Sequence, residues 1–471
     1  MAATLLQPTS HLTAFSHIGN WKEMVSMEEK EERKKKMVLE EKDAAKEWVY
    51  KGEGAANLVL SYKGSSPIFV GKVLRVQKAP RNSTQSTTSS VLTANEILLW
   101  NDFKDIVSSH SKEIVEQSYV LNIMLPLLGS EYVDVGKRVL VSRQFLEATE
   151  DNIHCQRPAW RVNAAKVNTI CDSALLISDH SVFPHGTLKG NPCISVEIKP
   201  KCGFLPSSKF IREQNAIKKS VTRFRMHQLL KLHKGEISQK SEYSPLDLYS
   251  GCIERINKAV KALFTTPQNN FRIFLNGSLI FGGLGGGMDS TNFVNGETLE
   301  NLFEGIIKAD HGLRLPSFLQ LIAETIFKSR VLDRLLEAQK LDSIDIEGAI
   351  HAYYNILSQP CQICKDLADC ELSERYSYLH SIPLEESLKI VRDYLIAATA
   401  KDCSLMISFR PGESGGPVSP YSSVQLESTN QSFDYKAYFI DLDMKPLKKM
   451  SYYYELDQKI TCCYSERENI K

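Results

Sequence analysis
At 471 residues the chain exceeds the usual span of one compact core, so two lobes are expected. With 42% hydrophobic and 24% charged residues it has the composition of a folded protein, not of a disordered tail. The net charge of +1 argues against a general nucleic-acid or membrane-surface binder, which would carry a broad basic excess, so any anion site must be local.

No apolar run approaches the ~18–20 residues that span a bilayer, so no membrane helix is expected. The cysteines number 11 and are scattered. They predict a reducing compartment, cytoplasmic or nuclear, and thiols or metal ligands in place of disulfides. Residues 1–22 are rich in Ser, Thr, Ala and Leu with no acid before Glu23, a composition weakly like a transit peptide, but the lack of Arg counts against targeting. With the mixed-charge run Glu28 to Lys36 they are expected to form a disordered or solvated extension, residues 1–36.

From Ala45 the pattern is that of strands. Trp48-Val49-Tyr50 enters a glycine turn, Asn57 to Tyr62 leaves it, and Pro67 to Val76 follows as a third strand. Pro80 to Ser90 is a polar loop, Leu92–Ile106 and Ser109–Tyr119 predict helices, and Val139–Leu146 and Ser173–Ser178 predict strands. The lobe boundary is placed after Ser178. Beyond it Val196 to Lys201 predicts an edge strand or strand end, because Pro200 lacks an N–H. Helices are predicted over Ile211–Leu232, Leu299–Ala309, Pro316–Phe327, Val331–Lys340, Ile344–Leu357 and Leu384–Ala400. Strands are predicted over Phe271–Phe281, Leu405–Phe409 and Tyr435–Ile440, with a loop from Pro411 to Gln431. The glycine run Gly282 to Gly287 lacks the Lys-Ser/Thr of a phosphate loop and is expected to be a surface loop.

Several segments carry chemistry. In an extended run, Glu197, Lys199 and Lys201 lie two apart and share a face, placing one acid and two ammonium groups on one surface. Gly52-Glu53-Gly54-Ala55-Ala56-Asn57 lies between two strands, which disfavours a dinucleotide turn and fits either a simple tight turn or a lid whose N–H groups cover nucleotide phosphates. Lys72 and Arg75 fall on opposite faces of the third strand, so one of them can face that nucleotide. Ser178-Asp179-His180 occupies the lobe connection, where backbone groups would meet an adenine. Asp402 and Asp441 each sit at an element end, Asp402 between a helix and a strand and Asp441 after Tyr438-Phe439-Ile440. Cys361-Gln362-Ile363-Cys364, flanked by His351 and His380, supplies four N/S ligands for a closed, structural zinc site, with Cys370 as a rival ligand.

Glu197-Ile198-Lys199-Pro200-Lys201 resembles the E-x-K-P-K signature of the inositol-pentakisphosphate 2-kinases, plant members above all. The likeness runs through Gly52 to Asn57, Trp160-Arg161-Val162-Asn163, Met226 to Lys231, Pro267 to Arg272 and Asp441 to Pro446. It implies an α/β (α+β) two-lobed kinase-like architecture. A β-rich lobe with a glycine lid would occupy residues 37–178, and a larger mixed lobe with a zinc-stabilised helical insert near residues 297–385 would occupy 179–471. It implies transfer of the ATP γ-phosphate to the 2-hydroxyl of inositol 1,3,4,5,6-pentakisphosphate, giving the hexakisphosphate, phytic acid. A monomer is expected, and the charge balance predicts no nucleic-acid or membrane partner.

By that resemblance Asp402 orients the hydroxyl and accepts its proton, Lys199 sits at the transferred group, and Asp441 holds magnesium. ATP and magnesium would meet Gly54, Ala55, Ala56, Asn57, Arg75, Ser178, Asp179, His180, Glu197, Lys199, Asn269 and Asp441. The inositol phosphate would meet Arg161, Lys201, Lys231, Asn270, Asp402, Lys445, Lys449 and Tyr453. Lys449 stands where family members often have Arg, forfeiting bidentate phosphate contact. The competing reading is a non-catalytic, zinc-stabilised inositol phosphate sensor, which would not need Asp402, Asp441, Lys199 and the lid.

Overall fold
The computed structural model describes residues 38–39, 42–81, 91–183, 192–283, 296–366, 376–412 and 419–468. The N-terminal extension, most of the Pro80–Ser90 loop, Leu284 to Gly287 and Cys370 lie outside the described residues. Two sheets organise the rest. The first joins β1 (Val38–Leu39), β2 (Trp48–Glu53), β3 (Asn57–Tyr62), β4 (Lys72–Pro80), β5 (Lys137–Val141), β6 (Ala165–Val167) and β7 (Ser173–Ser178). Its order is β1-β5-β7-β4-β3-β2, with β6 pairing β4. The second joins β8 (Ile194–Ile198), β9 (Phe271–Leu275), β10 (Ser278–Phe281), β11 (Ser404–Pro411), β12 (Ser422–Leu426) and β13 (Gln431–Ile440) in the order β10-β9-β8-β11-β13-β12.

The longer helices are α1 (Arg143–Ile153), α2 (Arg223–His233), α3 (Ile253–Thr265), α4 (Arg314–Ser329), α5 (Val331–Gln339), α6 (Asp345–Leu357), α7 (Leu384–Asp402) and α8 (Lys449–Glu468). Phe145, Leu146, Thr149 and Ile153 are the buried stripe of α1, at helical spacing, and Phe145, Leu146 and Ile153 join Trp48, Leu58, Leu60 and Leu74 in the core of the first sheet. The second core unites Val196 and Ile198 of β8, Leu405 and Ile407 of β11, and helices α3, α4, α6 and α7. Trp100, Tyr119, Met124 and Leu128 also join that second core, although they precede the first sheet's last strand. Among the described residues no helix is long and apolar enough to cross a membrane.

Several predicted elements are corrected. The strand expected over Val139–Leu146 ends at Val141, because the Ser142 hydroxyl accepts from Phe145 N at 3.0 Å and caps α1. The strand expected over Phe271–Phe281 is a hairpin, reversed by Asn276 and Gly277 at φ 50° and 80°. The helix expected over Ile211–Leu232 is broken after Lys219, and Thr222 caps the restart as α2. A strand, β12, lies inside the predicted Pro411–Gln431 loop, and α8 has no counterpart among the predicted elements. Pro67 to Gly71 form turns, so β4 begins at Lys72. Finally, β8 is interior, paired on both sides by β9 and β11. Pro200 lies past its end, where its missing N–H removes no ladder bond.

Candidate functional site
The glycine turn joins β2 to β3, which pair antiparallel. Gly54 N donates to Asn57 O at 2.9 Å, and Gly54 O accepts from Lys78 Nζ at 2.6 Å. The base of the turn is fixed by Glu53, which holds Lys78 Nζ at 2.7 Å and Arg157 Nε at 2.9 Å. Gly54 and Ala55 are exposed, Ala56 is half-buried and Asn57 is buried. A Cβ at Gly52 or Gly54 would meet nothing within 4 Å, so the protein's own packing does not demand glycine there. Bare backbone facing open space is what close approach of a ligand requires. Arg161 Nη1 donates to Gly54 O at 3.3 Å and its guanidinium lies 4.1 Å from the Trp160 ring centre, so Arg161 sits at this turn.

Behind the turn, Arg75 of β4 donates to both Asp443 oxygens, at 2.6 and 2.8 Å. Lys72, on the opposite face, donates to the Ser178 hydroxyl at 3.0 Å. In the connection between the sheets, Asp179 is held by Lys51 Nζ at 2.7 Å, and His180 is stacked on Tyr438 with its Nε2 3.3 Å from Asp134. Burial lowers the His180 pKa, so the ring is neutral near pH 7.

The E-x-K-P-K run divides its labour. Glu197 is buried within β8, accepting from Arg272 Nη1 at 2.9 Å and from the Ser404 hydroxyl at 2.9 Å. Lys199 leaves the strand with Nζ 3.3 Å from Asp441. Lys201 takes the left-handed conformation, φ 61°, and so does Asp441, φ 62°. The alternation that would put Glu197, Lys199 and Lys201 on one face therefore stops short of Lys201. The turn instead aims its amine at Asp402 Oδ1, 3.7 Å away, while Lys445 Nζ lies 3.1 Å from Asp402 Oδ2. Burial disfavours the Asp402 carboxylate, but Lys201 and Lys445 outweigh it and hold its pKa below the usual value. Burial likewise opposes ionisation of Asp441, and Lys199 and Arg75 overcome it.

Beside Asp402 opens a cavity of about 420 Å³. Lys201, Lys231, Asn269, Asn270, Asp402, Lys445 and Tyr453 all line it, as do Arg223 and His227. Lys449 is not among the lining residues; it is exposed and its amine packs 4.6 Å from the Tyr452 ring centre. Burial, aided by Lys199 and Lys231, pushes the Lys201 pKa down to about 8. Burial and the cations Lys231 and Arg223 push His227 to about 3, so it enters as a neutral ring. The Asn270 Oδ1 is buried without a partner among the described residues. A cavity rich in ammonium and guanidinium groups, entered by a carboxylate already ionised, can bind a polyanion and accept a proton from it.

Away from this cavity, His351, Cys361, Cys364 and His380 bring one donor atom each to within 4.8 Å of one another. Cys364 Sγ is 3.1 Å from His380 Nε2 and 3.4 Å from His351 Nδ1. The other His380 nitrogen, Nδ1, faces Asn355 Oδ1 at 3.3 Å. That partner places the proton on Nδ1 and leaves the Nε2 lone pair toward the thiols, as a metal-ligating histidine needs. The donor set and its geometry fit a closed tetrahedral site.

The sequence model of the family described as Inositol-pentakisphosphate 2-kinase matches residues 50–459. An Arabidopsis thaliana protein called inositol-pentakisphosphate 2-kinase is 55% identical over 438 residues, 92% of this chain and 96% of that protein. One from Oryza sativa subsp. japonica is 56% identical over 435 residues, again 92% and 96% of the two chains. One from Danio rerio is 28% identical over 477 residues, 89% and 93%. The chain belongs to the inositol-pentakisphosphate 2-kinase family.

Three further residues at or beneath the site have little or no signal in the sequence. Arg272 is held by Glu197 and Gly283 O beside Lys199, and the sequence marks it only as the last residue of the family-like run Pro267 to Arg272. Arg223 reaches the cavity from the first turn of α2, oriented by Asp457 of the unpredicted α8. Gln339 lies at the end of α5, fully buried, with all its side-chain hydrogen bonds to residues distant in the chain. A 2-kinase sequence read for charges and glycines gives no signal for such a residue.

Proposed function
We propose that this chain is an inositol-pentakisphosphate 2-kinase that transfers the γ-phosphate of ATP to the 2-hydroxyl of inositol 1,3,4,5,6-pentakisphosphate, giving the hexakisphosphate. The observation that carries this reading is Asp402, an ionised acid gripped by Lys201 and Lys445 at the edge of the cation-lined cavity, with the Lys199–Asp441 pair on the same loop ends. A ring bearing five phosphates and ATP repel each other, so catalysis must come from positioning and from charge neutralisation.

In this reading Lys201, Lys231, Arg223, Lys445 and Asn270 hold the ring phosphates, with Tyr453 on the same wall. Asp402 accepts a hydrogen bond from the free hydroxyl and orients its oxygen for in-line attack. As the new O–P bond forms, the bond from the γ-phosphorus to the bridging oxygen breaks, and the proton passes to Asp402. Lys199, Arg75 and Arg272 meet the charge that moves onto the nucleotide. The Gly54 to Asn57 turn covers the phosphates, and Ser178 to His180 border the base. Arg161 at the turn and Lys449 at the start of α8 are assigned to the substrate by the family resemblance, both standing outside the cavity lining.

Asp441 would hold magnesium, which neutralises nucleotide charge when bound. Zinc would be held by His351, Cys361, Cys364 and His380, fastening α6 to the segment before α7. The free thiols among the described cysteines suit a cytoplasmic or nuclear setting, and a monomer suffices because one chain supplies every residue named.

The test is to incubate protein with ATP, magnesium and inositol pentakisphosphate and to separate products by phosphate number. Hexakisphosphate made by the intact protein and not by Lys199→Ala supports the reading. Binding of the pentakisphosphate with no product from either would replace it with a sensor.

A further inference from the structure
Lys201 turns left-handed without being glycine, a conformation that needs support from its surroundings. The support is a buried polar cluster beneath the turn. Gln339, 0% exposed, accepts from Gly203 N through Oε1 at 2.8 Å, and its Nε2 lies 2.8 Å from Lys201 O. The same Nε2 is 3.1 Å from Ala400 O and 2.9 Å from the Tyr249 hydroxyl. Tyr249 in turn donates toward Lys201 O at 3.4 Å. Its ring lies where a Cβ on Gly203 would stand, 2.5 Å away, so the turn is packed against it.

Ala400 O is one of the last four carbonyls of α7, which have no partner inside the helix. Asp402 is the last residue of that helix. One amide therefore ties the backbone of Lys201 to the helix end that carries Asp402.

We infer that Gln339 is a positioning residue, which sets the Lys201 amine against the Asp402 carboxylate by fixing both backbones through one side chain. The inference rests on the kinase reading above. Gln339 touches no substrate; it acts through the turn and the helix end. A buried amide with its oxygen and both N–H groups engaged is rigid, and removing it frees two segments that must stay in register within less than about 1 Å for efficient chemistry.

The test compares the intact enzyme with Gln339→Met, which keeps the volume without the hydrogen bonds, and with Tyr249→Phe, which removes one hydroxyl of the cluster. Initial rates per folded molecule are measured against each substrate, with ATP affinity measured separately. Gln339→Met is expected to lower kcat/KM for inositol pentakisphosphate by about 10- to 100-fold, leaving ATP affinity within about twofold. Tyr249→Phe should move the same parameter the same way by a smaller factor. A purely structural role would reduce only the folded fraction and leave KM and rate per folded molecule unchanged, and that result overturns the inference. If Gln339→Met does not fold, Tyr249→Phe decides: an unaltered kcat/KM overturns it, a selective loss sustains it. An intact enzyme with no hexakisphosphate product would instead refute the kinase reading itself.

Discussion

Lys201 should behave oppositely with and without substrate. Its side chain is 24% exposed, 3.7 Å from Asp402, and burial beside Lys199 and Lys231 brings its pKa to about 8. Lys201→Met keeps the length and removes the charge. Without ligand, the variant loses a partly buried charge whose solvation is poor, so its melting temperature should match or exceed that of the parent. With inositol pentakisphosphate, it loses one charge-assisted phosphate contact of about 1.5–3 kcal/mol, which weakens binding by about 10- to 150-fold.

The pH dependence of the parent follows from the same shift. The folded pKa of about 8 lies below the ordinary lysine value of 10.5, so between these the unfolded chain binds more protons. Parental stability should therefore rise with pH across that window relative to Lys201→Met, and not below it. Thermal melts with and without inositol pentakisphosphate, with calorimetric titration, measure all three. A variant that melts several degrees lower yet keeps the full ligand-induced shift would refute the reasoning.

Three further outcomes follow. Lys218 is 3% exposed and ion-pairs with Asp345, Glu347 and Asp457, so Lys218→Met leaves buried acids short of a cation and should cost about 3–5 kcal/mol in urea unfolding; a loss under about 1 would contradict this. Asn355→Ala should weaken zinc affinity about 10- to 100-fold in competition with a chromogenic chelator, and an unchanged affinity would remove Asn355 from the site. Stripping zinc should lower the melting temperature; if it stopped phosphate transfer in a protein that melts as before, the metal would not be structural.

The sequence made some elements plain because local signals agreed with tertiary packing. Ser173 to Ser178 is a short apolar run that became β7, and the C-x₂-C with two histidines gave the four converging donors. Other elements were hidden for identifiable reasons. In α8, Tyr, Cys, Glu and Lys alternate without a clear apolar stripe; its burial is specified by Ile460, Cys463 and Tyr464 meeting Met226 and Leu230 of α2, contacts that sequence spacing does not reveal. The Asn276-Gly277 reversal was masked by apolar residues on both sides.

At the site, the charges were legible and the backbone was not. Lys199, Lys201, Lys445 and Asp402 could be named, yet strand alternation misplaced Lys201, because its left-handed turn is imposed by Gln339 and Tyr249 from other parts of the chain.

Asp402 is the residue on which the proposed phosphate transfer turns. Rapid-quench single turnover with saturating ATP and inositol pentakisphosphate should be run on the intact enzyme and on Asp402→Asn, with substrate affinity measured in parallel. Asp402→Asn should still bind both substrates and transfer the phosphate about 10²- to 10⁴-fold more slowly. Transfer at the parental rate by a fully occupied Asp402→Asn would contradict the central claim.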